Sequence, residues 1–115
     1  MARVLVVEDE PNISGIIVFK LERDGHEVRA VTTAAEALGT DFSPQLVLLD
    51  SSLDDADGVE LVPRFTCPVI VMTEFRDEVT PQRAVELGAA ATIGKPFKPT
   101  VLARVVAEVS REARS

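Results

Sequence analysis

Leu46-Val47-Leu48-Leu49-Asp50 is a run of four apolar residues that ends on a carboxylate. A strand with no polar face must be covered on both sides, as in a parallel sheet with helices above and below it. Working outward, the pattern recurs. Val4-Leu5-Val6-Val7 leads into Glu8-Asp9, Val69-Ile70-Val71-Met72 into Thr73, and Ala89-Ala90-Ala91-Thr92-Ile93 into Gly94-Lys95. Glu27 to Val31 alternates instead, which predicts a fifth strand that is partly exposed.

Helical signals separate these runs. Pro11 to Arg23 carries Ile13, Ile16, Ile17 and Leu21 at helical spacing, with Asp24-Gly25 as a stop. Thr33 caps a short helix through Leu38. Thr80-Pro81 reads as N-cap and first helical residue of a segment reaching Leu87. Pro99 to about Ala113 places Val101, Leu102, Val105, Val106 and Val109 at three- and four-residue steps. After Gly58 there is room only to about Phe65, and Pro63 removes an interior hydrogen bond, so the third helix is expected to be short. Strands alternating with helices predict a five-stranded, doubly wound α/β domain over residues 1–115.

Composition narrows the function. The 115 residues are 46% hydrophobic and 27% charged, an ordinary globular balance. The net charge of -7 argues against a nucleic-acid surface or an anionic membrane as partner. Cys67 is the single cysteine, which leaves no internal disulfide or zinc cluster. The first apolar run is too short for a signal peptide, and no stretch approaches the ~20 apolar residues of a membrane span. A cytoplasmic protein is therefore expected.

In parallel α/β sheets, ligands bind beyond the carboxyl ends of the strands. That rule brings Glu8, Asp9, Asp50, Thr73 and Lys95 to one edge. Seven acids (Glu8, Asp9, Glu10, Asp50, Asp54, Asp55 and Asp57) lie in two loops there, and without them acids and bases balance. Carboxylates brought within ~4–6 Å repel unless a cation offsets them. Mg2+ suits such a site, with Lys95 as a point charge for a phosphate. The chemistry permitted is phosphoryl transfer onto Asp50, which ends the most apolar strand and would form an acyl phosphate. Thr73 is placed to donate its hydroxyl to the phosphoryl group.

At these residues the chain resembles the receiver domain of two-component response regulators. The matching pieces are Val6-Val7-Glu8-Asp9-Glu10-Pro11, Leu46 to Asp50, Asp57-Gly58, Val69 to Thr73, Gly88-Ala89 and Lys95-Pro96-Phe97. They cover Arg3 to about Arg111, and their shared order and spacing make the resemblance specific. It implies a flavodoxin-like fold with five parallel strands and five helices. It also implies that Asp50 takes a phosphoryl group from a phosphohistidine on a sensor histidine kinase. Glu8, Asp9, Asp50 and the Ser52 carbonyl would hold Mg2+, and Thr73 and Lys95 would contact the phosphoryl group. The Lys95-Pro96 bond would be cis. Such a domain is a switch and not an enzyme, and it acts through a C-terminal effector domain or a downstream protein.

The chain departs from that family at several positions. Thr92 stands where a switch aromatic is usual, and Glu74 follows Thr73 where a small residue is usual. Asp54 replaces a common proline. Ala90 and Ala91 replace acids that help pair receivers in the DNA-binding subfamily, so a monomer or a phosphorylation-linked homodimer is expected. The alternative reading is a receiver-fold interaction module that works without phosphorylation. A hydrolase using Asp50 would need a general acid or base nearby, often two residues on, where Ser52 stands.

Plainer readings weigh on the other residues. Asp54, Asp55 and Asp57 suit turn and helix-start roles. His26 reads as a surface residue and Cys67 as a small apolar filler. Phe19, Phe42, Phe65 and Phe97 read as packing, whereas Phe75 has no obvious place. Gly88 to Lys95 is not a nucleotide-binding loop, because five residues separate its glycines and Pro96 replaces the required Ser or Thr.

Overall fold

A computed structural model of the chain describes residues 1–113. Arg114 and Ser115 lie outside the described residues. Elements alternate as the apolar runs predict: β1 (Arg3–Val7), α1 (Pro11–Arg23), β2 (Glu27–Val31), α2 (Ala34–Leu38), β3 (Leu46–Asp50), a 3-10 helix (Gly58–Arg64), β4 (Val69–Thr73), α3 (Val79–Glu86), β5 (Ala91–Gly94) and α4 (Pro99–Ala113). All four strand pairings are parallel, and the order β2-β1-β3-β4-β5 is that of a flavodoxin-like fold.

The near-continuous runs follow from burial on both faces. Successive side chains along a strand point to opposite sides. Leu5, Val7, Val47, Leu49, Val69 and Val71 thus join the cluster under α2, the 3-10 helix and α3. Val4, Val6, Leu46, Leu48, Ile70 and Met72 join the cluster under α1 and α4. Edge strand β2 remains largely exposed, as its alternation predicts.

The third helical segment is the shortened one. Gly58–Arg64 winds as a 3-10 helix with Pro63 inside it, and Phe65 N closes its last turn on Val62 O at 3.4 Å. Proline has no N–H to continue an α-helical ladder. Asp57 caps the start, its Oδ1 accepting from Val59 N at 3.2 Å. The described residues thus hold four α-helices and this 3-10 turn, where the family resemblance implies five helices.

Four local expectations are corrected. α3 starts one residue before Thr80, and Asp77 takes the capping role. The Asp77 carboxylate accepts from Val79 N and Thr80 N, each at 3.0 Å, and from the Thr80 hydroxyl. β5 begins at Ala91, not Ala89, because small alanines carry little strand preference. Ile16 is 52% exposed, since Ile17 takes the inward position and adjacent helical residues point ~100° apart. Phe19 is 64% exposed beneath the Arg23 guanidinium instead of packing in the core.

Candidate functional site

Each candidate side chain is placed by the end of a strand. β1 and β3 are neighbours, and from them the chain moves off to opposite sides of the sheet, which opens a crevice at their carboxyl ends. Glu8 follows β1, and its N–H donates to Val31 O at 3.1 Å. That bond turns the Glu8 side chain inward, where the residue is only 1% exposed. Its Oε2 accepts from Glu10 N at 3.2 Å. Asp9 is half-buried beside it.

Asp50 is the last residue of β3 and is 2% exposed. Its Oδ1 accepts from Ser52 N at 3.2 Å and from the Lys95 ammonium at 3.1 Å. Lys95 follows β5, anchored by its own N–H, which donates to Thr73 O at 2.8 Å, and followed by a cis bond to Pro96. The Lys95 Nζ also lies 2.8 Å from Glu8 Oε1. That contact lacks the alignment of a directed hydrogen bond, and no other donor among the described residues reaches this buried oxygen. Lys95 thus forms a close ion pair with Glu8 beside its hydrogen bond to Asp50.

The charges shape one another. Burial, then the neighbouring Asp50 carboxylate, push Glu8 up to about 7 against the pull of Lys95. Asp9 is raised, first by burial and then by the charges of Asp50 and Asp54. Burial alone would lower the Lys95 ammonium, but Glu8 and Asp50 outweigh it and the net direction is up. Three acids thus share a pocket with one ammonium, and the pocket remains short of positive charge.

Oxygen atoms of Glu8, Asp9 and Asp50 lie within 4.8 Å of one another. All-oxygen donors, an excess of negative charge and a buried Glu8 oxygen without a directed donor fit a hard divalent cation. The Ser52–Asp57 bridge leaves the Ser52 carbonyl out of its bonding. Its two hydrogen bonds run from Leu53 N to Ala56 O (3.1 Å) and from Gly58 N to Ser51 O (2.9 Å).

The remaining predicted residues lie around this core. Thr73 ends β4, is 3% exposed and pairs with Gly94 in the sheet. Thr92 sits two residues short of that edge, paired with Val71 and partly buried. Ala91 and Ile93 face α1 and α4, so alternation turns Thr92 to the other side. Glu74 is exposed on the rim between two grooves. One, of about 490 Å³, is apolar and lined by Ile13, Ile16, Phe75, Pro96 and Phe97, with Lys95 at its edge. The other, of about 660 Å³, is acidic and lined by Asp54, Asp55, Asp57 and Asp77.

Two contributors escape a reading of the sequence. A methyl group on Gly58 would sit 1.8 Å from the Asp50 carbonyl oxygen, so the loop after β3 closes only over glycine. The Asp57-Gly58 pair signals a turn there but not this contact. Asp55 bonds the start of α2, twenty residues away, and no sequence signal points to that.

Comparison with known proteins bears on the fold and the family. NtrX from Brucella abortus, solved in complex with ADP, is similar at 32% identity and a TM-score of 0.90, over 98% of this chain and 27% of that one. The signal receiver domain of a modulated diguanylate cyclase from Desulfovibrio desulfuricans G20 is similar at 29% identity and TM-score 0.86, over 99% and 97% of the two chains. The BeF3-activated DrrB receiver domain is similar at 28% identity and TM-score 0.88, over 96% and 98%. This chain spans little more than a quarter of NtrX. The family model of the response regulator receiver domain matches residues 4–107, and the chain belongs to that family.

Proposed function

We propose that Asp50 accepts a phosphoryl group from a phosphohistidine of a sensor histidine kinase, and that the acyl phosphate switches partner interactions. The observation that carries this reading is the meeting of Asp50 with Lys95 at 3.1 Å, at the strand edge where Glu8 and Asp9 also converge. An Asp50 carboxylate oxygen forms the new O–P bond. The P–N bond to the donor imidazole breaks, and its electron pair stays on the ring nitrogen. The Lys95 ammonium neutralises charge on the phosphoryl oxygens, and Thr73 donates its hydroxyl to one of them. Glu8, Asp9, Asp50 and the Ser52 carbonyl would hold Mg2+, which supplies charge neutralisation for the transferring group.

The apolar groove beside Lys95 suits a protein donor, whose helices would cover Ile16 and Phe75 while presenting the phosphohistidine. The output, through a C-terminal effector domain or a separate protein, belongs to the same proposal, as does either a monomer or a phosphorylation-linked homodimer. A second reading, a module signalling without phosphate, is favoured by Glu74 at the rim and by Thr92 in place of an aromatic. Intact-mass measurement with a small acyl-phosphate donor separates the two. One added phosphoryl group that needs Mg2+ and is lost in Asp50→Asn supports the switch, and no adduct at any Mg2+ level supports the module.

A further inference from the structure

We infer that Asp55 is a positioning residue for the cation site, an inference that rests on the magnesium reading above. Asp55 lies in the loop between β3 and the 3-10 helix, five residues past Asp50. Its Oδ1 accepts from Ala34 N at 2.9 Å and its Oδ2 from Ala35 N at 3.2 Å. These are the first two N–H groups of α2, which have no partner within the helix. The carboxyl is held below its usual range, first by the bond from Ala34 N.

α2 already has a local cap of its own. Thr33 Oγ1 accepts from Glu36 N at 3.1 Å, and the Glu36 carboxylate accepts from Thr32 N and from the hydroxyls of Thr32 and Thr33. A five-residue helix with that cap could leave its remaining N–H groups to water. Here they meet a carboxylate from the loop that also carries the proposed metal-binding carbonyl.

What the strap does follows from what its two ends are tied to. On the loop side, Ser52 N donates to Asp50, and Gly58 N donates to Ser51 O with its Cα against the Asp50 carbonyl. On the helix side, Val31, three residues before Ala34, accepts the N–H of Glu8. The links close a ring. It runs from Glu8 to Val31, along the chain to Ala34, across to Asp55, along the loop to Asp50, and through Lys95 back to Glu8. Asp55 is an exposed side chain in that ring, whereas the Glu8, Asp50 and Lys95 groups are largely buried. Cutting it leaves the loop tip held by Leu53 and Ala56, which pack in the same cluster as Ala34, and by the Ser52–Asp57 bridge. The Ser52 carbonyl then loses one of the ties that fix its segment relative to Glu8 and Asp9. Ligands fixed before binding lose less freedom when the ion arrives, so the strap raises cation affinity without touching the ion.

The test is calorimetric Mg2+ titration of the wild type, Asp55→Ala and Asp55→Asn, at a temperature where circular dichroism shows all three folded. Asp55→Ala should weaken Mg2+ binding roughly threefold to tenfold, less than the ~10–100-fold typical of a direct outer-shell partner. Half-saturating Mg2+ for labelling by an acyl phosphate should rise by the same factor, while the rate at saturating Mg2+ converges on the wild-type value. Asp55→Asn keeps one acceptor oxygen and should fall between the two. Unchanged Mg2+ affinity in Asp55→Ala, with only a lower melting temperature, overturns the inference and leaves the function proposed above intact. A wild type that takes up no Mg2+ overturns both.

Discussion

Gly58 lies so close against Asp50 that a β-carbon on it would approach the Asp50 carbonyl oxygen to 1.8 Å. The residue after the turn therefore sets the seat of the proposed phosphoacceptor. Gly58→Ala must push the loop off β3. Overpacking of this kind costs on the order of 3 kcal/mol. Chemical denaturation should show that loss, together with slower labelling of Asp50. A change within about 0.5 kcal/mol, the range of an ordinary surface substitution, would mean that the loop gives way freely.

Lys95→Ala removes the ammonium that Glu8 and Asp50 share. Breaking a buried pair leaves uncompensated charge, and Glu8 can relieve part of that by taking a proton. The expected loss is about 3 kcal/mol at pH 8, the low end for a broken buried pair, and smaller at pH 5. Mg2+ binding should persist, because its donors remain. The amide shifts that a phosphoryl mimic produces around Thr73 should shrink. Equal losses at both pH values would contradict the coupling to Glu8.

The pH dependence has a definite sign. Glu8 is raised to about 7 in the folded protein, chiefly by burial. A raised carboxyl stabilises the metal-free fold most below its unfolded value, and that contribution is lost as pH climbs through about 7. Asp55 and Asp77 are lowered, first by the bonds from Ala34 N and from the Thr80 hydroxyl respectively, so their contribution is lost only as the solution turns strongly acidic. Mg2+ requires Glu8 ionised, so Mg2+ affinity should rise from about pH 5 to about pH 8 and flatten above. Calorimetry across that range that finds a flat or falling affinity would remove Glu8 from the ligand set.

Ile16 and Phe75 are 52% and 65% exposed on the groove beside Lys95. Polar replacements such as Phe75→Ser should alter stability by less than about 0.5 kcal/mol. They should slow transfer from a phosphorylated kinase while leaving labelling by a small acyl phosphate unchanged. Equal slowing with both donors would show that the residue shapes the site and not the docking surface.

The parts of the fold readable in the sequence are those that burial dictates. Central strands β1, β3 and β4 appear as unbroken apolar runs because helices cover both faces, and the residue after each run marks the sheet edge. That is why Glu8, Asp9, Asp50, Thr73 and Lys95 could be placed together. Local chemistry read less well. Asp77 outcompetes Thr80 as the cap of α3 because one carboxylate accepts from two N–H groups and a hydroxyl. Ile16 carries the helical period but yields the inward position to Ile17. The Gly58–Asp50 contact and the Asp55 strap join segments that no periodicity connects.

The most direct measurement is an NMR titration with beryllofluoride, which mimics an aspartyl phosphate, in the presence and absence of Mg2+. With both present, the amides of Ser52, Thr73 and Lys95 should move together in wild type and remain still in Asp50→Asn. Amides that do not move in wild type under any combination would contradict a phosphoacceptor site at Asp50.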